Sequence, residues 1–391
     1  MSVTETPDVQ LGKLERPALA VGAGAALLLA VLGMRDADQF FRSYLFGYVF
    51  WIGFPLGSLA LLMLHHLTGG GWGFVIRRLC EASSRTFLLM ALLFLPLFFG
   101  ISRLYVWTQP GWAKEAHSPF KAMYLMPGFF RGRAAVYFAV WILLGYLLSK
   151  WSLEQDQTGD EGMHRRMEAL SAPGLILYGL TVTFAVVDWV MSLEPQWTST
   201  MYGLIFIVIQ VFTALAFVIV VAGRFSEHEP LAAVASPSRF HDLGTLLFTF
   251  TMLWAYLSFS QFLIIWAGNL KSEITWYLHR GMGEWAGVAA FLIVFHFFVP
   301  FFILLNRPVK RRKHALGVVA GAMILISAVD VFWLIVPAFF PTTPTVHLTD
   351  LLAAVAIGGF WLWAFSREVR GRPLVPLRDS NMEEAAVEHG A

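Results

Sequence analysis

The chain has 391 residues, 57% of them hydrophobic and only 14% charged, with a net charge of +2. A soluble domain carries roughly 25% charged residues, so this composition excludes an ordinary water-exposed fold, and the small net charge argues against a nucleic-acid partner. The single cysteine, Cys80, excludes an internal disulfide, a cysteine-ligated iron–sulfur cluster and haem attached through C-x-x-C-H. The excess of Phe (35) and Trp (15) fits a chain whose neighbours are lipid tails and headgroups.

Crossing a hydrocarbon core of ~30 Å takes about 20 apolar residues in a helix, and an open sheet edge cannot satisfy its backbone there. Residues 1–16 mix Glu5, Asp8 and Glu15 with Lys13 and Arg16, unlike the basic start of a secretory signal, so the first apolar run reads as a retained span. In chain order the apolar segments predict span 1 at 17–34, span 2 at 44–67, span 3 at 86–107, span 4 at 134–150 and span 5 at 173–193. Span 6 follows at 201–223, span 7 at 243–268, span 8 at 284–305, span 9 at 315–337 and span 10 at 348–366. Residues 367–391 are polar and read as a tail.

An even number of spans puts both termini on one side. Nineteen Lys and Arg residues fall on that side, including the run Lys310–Lys313 in the 8–9 loop. Eight fall on the other: Arg35, Arg42, Lys114, Lys121, Arg131, Arg133, Lys271 and Arg280, with Arg103 placed inside span 3. By the positive-inside rule both termini are expected in the cytoplasm.

Span 5 ends Val187-Asp188 with Pro195 seven residues on, and span 9 ends Val329-Asp330 with Pro337 seven residues on. Both run from the terminal side outward, which sets the two carboxylates at matching depth. The expected fold is therefore all-α and integral to the membrane. Ten transmembrane helices within 17–366 form two four-helix bundles, spans 2–5 (44–193) and 6–9 (201–337), flanked by spans 1 and 10.

Ionisable groups inside spans are costly and face protein or a water-filled cavity. Asp188, Asp330, Arg103, His296 and the pair His65–His66 meet that description. The structural reading is an ion pair between Arg103 and Asp188, which lie at similar depth. The functional reading is proton transfer. Span 2 aligns Tyr44, Tyr48, Trp51, Ser58 and His65 at heptad-like steps, and span 7 aligns Thr245, Thr249, Met252, Tyr256 and Ser260, with Ser258 and Gln261 on a neighbouring face. Such stripes commonly join helices. Combined with a histidine that titrates near neutrality at one end and carboxylates at the other, they also make the parts of a proton relay. Of the two carboxylates, Asp330 has no evident basic partner in its bundle and is the better loading group. Haem is disfavoured, because neighbouring residues on a helix point about 100° apart and His65 with His66 cannot both face one iron.

Several segments carry a family likeness. They are Leu253–Asn269 (LWAYLSFSQFLIIWAGN) with Glu273–Tyr277 (EITWY), Gly47–Ser58 (GYVFWIGFPLGS) through His65-His66, Phe184–Pro195, and Gln196–Gly203 (QWTSTMYG). Together they resemble the ActF-type membrane subunit of bacterial alternative complex III, within the NrfD-like, polysulfide-reductase-type family, and the likeness runs over essentially the whole chain. It implies a subunit of a quinol:cytochrome c oxidoreductase complex in the bacterial inner membrane that binds no cofactor itself. Haem and iron–sulfur centres would sit in partner subunits, among them a multihaem cytochrome c and iron–sulfur subunits, beside a paralogous ten-span subunit. It also implies a proton path through this chain. Two alternatives stand beside it: a quinone pocket in this subunit, lined by Trp51 and Tyr256, and an unrelated secondary transporter. The asymmetry of the halves counts against the transporter, since Pro55 interrupts span 2 and span 6 has no proline.

Overall fold

The computed structural model describes residues 7–112 and 118–379. Residues 1–6, Lys114 and the tail beyond Asp379 lie outside the described residues. Among the described residues, ten helices are long and apolar enough to cross a membrane. They are span 1 Gly12–Gly33, span 2 Ala37–Thr68, span 3 Gly71–Phe99, span 4 Pro127–Thr158, span 5 Glu161–Leu193, span 6 Tyr202–Phe225, span 7 Pro237–Gly268, span 8 Trp285–Leu305, span 9 Lys313–Ala338 and span 10 Leu348–Val369. The chain is an all-α, multi-pass integral membrane protein. Span 1 starts and span 10 ends on one face, where Arg370 pairs with Glu15 at 3.2 Å; this is the terminal face below.

Span 2 is buried around almost its whole circumference, as a largely apolar helix enclosed by other helices is. Asp36 caps its start by accepting from the Gln39 amide at 2.9 Å. Helices in lipid gain little from burying apolar surface, so they associate where small residues let backbones approach. Span 2 is notched accordingly. A Cβ on Gly57 would lie 2.1 Å from the Gln210 carbonyl oxygen of span 6, and one on Gly47 would lie 3.0 Å from Ala353 of span 10. Span 10 answers with Gly358 against the Trp51 ring and Gly359 against Gly22 of span 1.

Spans 3 and 5 pack on span 2 and span 4 packs on both, while spans 7 and 9 pack on span 6 and span 8 closes the second group. The two groups meet through spans 2 and 6. Span 10 lies along span 2, with span 1 outside it.

Span 3 departs from its expected position. The helix starts at Gly71, directly after the turn at Gly69 and Gly70 (φ +65° and +90°), and ends at Phe99. Its first turns carry Arg77, Arg78 and Glu81, charges that read as loop but that neutralise one another in the buried helix. Near its other end Pro96 removes a backbone donor and breaks the helix at Phe94. Two tyrosines of span 2 fasten that region, Tyr48 donating to the Met90 carbonyl (2.9 Å) and Tyr44 to that of Leu93 (2.7 Å). Arg103 consequently lies beyond the span. Span 8 contains a π-helical turn, Ile293–Phe298, with His296 inside it.

Because Gly57 faces backbone rather than a movable side chain, Gly57→Leu should destabilise the fold by about 1–3 kcal/mol or more. Gly287→Leu, with nothing within 4 Å of its Cβ position, should be close to neutral. Thermal unfolding of the detergent-purified variants checks the difference.

Candidate functional site

The expected pair of Arg103 with Asp188 does not form. Arg103 meets Asp38 at 3.2 Å, with both side chains about half exposed, because span 3 ends before it. Asp188 is fully buried and is held by Arg133, whose Nε and Nη2 donate to the two carboxylate oxygens at 2.9 and 2.8 Å. Tyr137 adds a third donor at 2.7 Å. Arg133 and Tyr137 stand one turn apart on span 4, and the guanidinium lies over the Tyr124 ring, 3.7 Å from its centroid. Arg133 reads as a loop charge in the sequence because the apolar run of span 4 begins after it, whereas the helix begins at Pro127.

Asp330 has a different setting. It is buried on span 9 and accepts one hydrogen bond, from the Trp254 indole N–H at 2.8 Å. The π-turn of span 8 brings His296 beside it, with Nε2 3.9 Å from the carboxylate, beyond hydrogen-bond reach. The imidazole is sandwiched between Trp254 (centroids 4.1 Å) and Phe212 (5.0 Å). Neither ring nitrogen has a hydrogen-bond partner among the described residues. A π-turn inside an α-helix often marks a functional position, since it re-aims side chains at a cost in regular bonding. No Lys or Arg lies within ion-pair distance of Asp330 among the described residues.

The expected polar face of span 7 is not assembled toward Asp330. Span 7 buries Leu247, Thr251, Trp254, Leu257 and Gln261, while Thr245, Thr249, Met252 and Tyr256 point outward and Ser258 and Ser260 are half-buried. Thr245 and Thr249 bond back to carbonyls four residues earlier in their own helix. Gln261 faces inward, but it joins Ser199 (2.9 Å) and Tyr277 (3.3 Å) at the face away from the termini. Trp51 and Tyr256 do not share a pocket. Trp51 donates to the Ala354 carbonyl and stacks on Phe54, whereas Tyr256 stands on the outer surface of the other bundle.

His65 and His66 are both buried at the terminal-face end of span 2, and they point apart. His66 Nδ1 is 3.2 Å from Ser171 of span 5. His65 packs on Trp72 and Phe74, and Gly73 is required there, since a Cβ would lie 1.9 Å from His65 Nδ1. His65 Nδ1 and His66 Nε2 have no hydrogen-bond partner among the described residues. Beside them lies a buried ionic cluster that the sequence reading missed. Arg77 bonds Glu81 (3.1 Å), Asp379 (2.6 Å) and Ser152 (2.8 Å), and Arg78 bonds Glu81 (2.6 Å) and Asp156. The spacing of Arg77 and Arg78 to Glu81, four and three residues, was the available signal.

Deeper in the protein, Ser58 Oγ (span 2), Gln210 Oε1 (span 6) and Ser327 Oγ (span 9) are buried without partners. Ser58 is seven residues before His65, roughly 10 Å along the same helix face, and Ser327 is one turn before Asp330. Toward the face away from the termini, Tyr202 (3.3 Å) and Arg280 (3.0 Å) both donate to the Leu334 carbonyl, one turn after Asp330. Arg280 also bonds Glu194 at 2.7 Å and stacks on Trp276, which stacks on Trp197. Among the described residues no group of three His, Cys, Asp or Glu is placed to hold a metal ion.

Compared with protein-family models and with curated proteins, the chain matches none.

Removing one member of a buried ion pair strands the other, so Arg133→Leu should cost about 3–5 kcal/mol, with Asp188→Leu in the same chain recovering part of it. Arg103→Leu should stay within about 0.5 kcal/mol of the parent. Thermal unfolding of the three variants separates the two arginines.

Proposed function

We propose that this chain is a membrane subunit of a quinol:cytochrome c oxidoreductase complex of the alternative complex III type, ActF-like, and that it supplies a transmembrane proton path rather than redox centres. In this reading it sits in a bacterial inner membrane with both termini in the cytoplasm. Its partners are a paralogous ten-span subunit, a multihaem cytochrome c and iron–sulfur subunits, which hold the haem and the clusters. The family assignment rests on the sequence segments quoted above. The positive excess on the terminal face supports the orientation.

The observation that carries the proton role is the contrast between two carboxylates at equivalent places in two bundles. Asp188 is neutralised by a bidentate guanidinium and a phenol, an arrangement that fixes helices together. Asp330 has one neutral donor and an imidazole just out of reach. With no basic residue to offset the desolvation of its charge, it is the carboxylate suited to gaining and losing a proton. His296 is its nearest exchange partner.

A path in keeping with the geometry follows span 2 instead of the outward stripe of span 7. Protons taken up at His65 and His66 would pass Ser58 and Gln210, whose unpartnered oxygens are the kind that bridging water satisfies, and reach Ser327 and Asp330. Release would follow Tyr202, Arg280 and Glu194 at the far face.

Two measurements test the reading. In the assembled complex reconstituted into vesicles, Asp330→Asn should abolish proton uptake coupled to quinol oxidation, whereas Arg103→Leu, whose exposed side chain meets Asp38 outside the proposed path, should leave it within about twofold. Wild-type coupling in Asp330→Asn would reduce Asp330 to a buried structural side chain. For the orientation, cysteines introduced after Arg367 and in the Lys310–Lys313 loop should be labelled only from the cytoplasm. Labelling of residues 108–112 from that side would invert the topology.

A further inference from the structure

At the terminal-face end of span 7 lies a cavity of about 390 Å³, whose lining includes Leu64, Trp72, His241, Asp242, Thr245, Leu246 and Thr249. It sits between the end of span 2, the start of span 3 and the outward side of span 7, where Thr245 and Thr249 are exposed. One wall is therefore apolar and aromatic.

Lys310, on the short helix Arg307–Arg311 that links spans 8 and 9, approaches one edge of the cavity through the lining residue Thr245. Its Nζ donates to Thr245 Oγ1 at 3.2 Å, and its stem rests on Gly244, where a Cβ would come within 2.8 Å of Lys310 Cγ. The residue is 9% exposed, and no carboxylate pairs with it among the described residues. Its neighbour in sequence, Lys313, has such a partner in Glu227 at 2.7 Å, which holds that carboxyl below its usual range. Burial, and after it the charge of Arg307, push the Lys310 pKa down. A largely enclosed ammonium at a cavity edge without a counter-charge is costly unless an anion is supplied.

The remaining donors narrow what that anion is. Both threonine hydroxyls already donate to carbonyls of their own helix, Thr245 to His241 (2.9 Å) and Thr249 to Thr245 (2.9 Å). The two free N–H bonds of Lys310 and the His241 imidazole are left to meet a ligand. Asp242 also lines the cavity, 3.7 Å from His241. Its charge opposes a dianion far more than a singly charged phosphodiester. The apolar wall of Leu64, Trp72 and Leu246 suits an acyl chain and has no use for a free ion. We propose that this cavity is a binding site for an anionic membrane phospholipid, with Lys310 as counter-ion to the phosphodiester and an acyl chain lying along Leu64, Trp72 and Leu246. This site needs only the multi-pass membrane fold and stands whether or not the chain carries protons. Basic pockets between helices on one membrane face are where such headgroups bind.

The test is native mass spectrometry of the full chain, purified in detergent and exchanged with phosphatidylglycerol or phosphatidylcholine. The parent should retain phosphatidylglycerol about fivefold better, the preference expected of one lysine. Lys310→Gln should bring retention down to the phosphatidylcholine level. Lys313→Gln, whose cation is already paired, should not change it. Thr249→Trp, which fills the cavity from an exposed position and keeps every charge, should also lose the lipid, and it keeps the test open if Lys310→Gln does not fold. Equal retention of the two lipids by the parent would overturn the proposal. So would parent-like retention in Lys310→Gln or Thr249→Trp. Displacement of the lipid by millimolar inorganic phosphate would show a site for soluble anions instead.

Discussion

The close crossing of span 2 with span 6 is the contact on which the rest of the structure depends. A Cβ at Gly57 would overlap the Gln210 carbonyl oxygen, and Gly53 lies along the Gln210 side chain. Without a hydrophobic drive between helices in lipid, dispersion at such short range is what holds two bundles together. The same helix carries Gly47 on its other side, against span 10. Span 2 thus joins both four-helix groups and the outer pair of spans, and its ends present Tyr44 at one face and His65–His66 at the other. Any movement of this helix would shift the polar groups at both faces together.

Within that frame the two bundles put a carboxylate at corresponding places and then treat it differently. In the first, span 4 offers Arg133 and Tyr137, and Asp188 becomes one end of a charge-assisted clamp between spans 4 and 5. In the second, span 8 offers His296 from a π-turn and span 7 offers Trp254. The clamp stabilises only when both partners are present. The second arrangement tolerates either protonation state, since one indole donor serves a carboxylate or the carbonyl oxygen of a carboxylic acid.

Much of the fold was legible from the sequence, because ten apolar runs near 20 residues leave little choice. Errors arose where charge was taken as the mark of a loop. Arg77, Arg78 and Glu81 belong to span 3 and Arg133 to span 4, because each finds a buried partner supplied by another helix or by its own next turn. Those partners are distant in sequence, Arg77 to Asp379 most of all, so no local pattern announces them. The carboxylates and histidines were visible as polar residues at membrane depth, and the relation of Asp330 to His296 was not, since it depends on an extra residue in one turn of span 8. The span 7 stripe misled for a simpler reason: periodicity identifies a face without saying whether that face looks inward or outward.

The distribution of polar groups also constrains any proton transfer through this chain. Titratable groups lie toward the two ends of the spans, with His65, His66 and the Arg77 cluster toward one and Asp188, Asp330, His296, Arg280 and Glu194 toward the other. Between them stands the glycine-notched crossing, where helices approach too closely for long side chains to relay a proton hand to hand. Ser58, Gln210 and Ser327 offer buried oxygens without partners beside that crossing. Hydroxyl and amide groups at neutral pH orient water and do not themselves hold an extra proton. Under the proposed reading, the rate-limiting stretch is therefore the crossing itself, and conduction there depends on how far spans 2 and 6 part to admit water. The contact that holds the bundles together is then also the barrier that keeps the two faces of the membrane electrically separate.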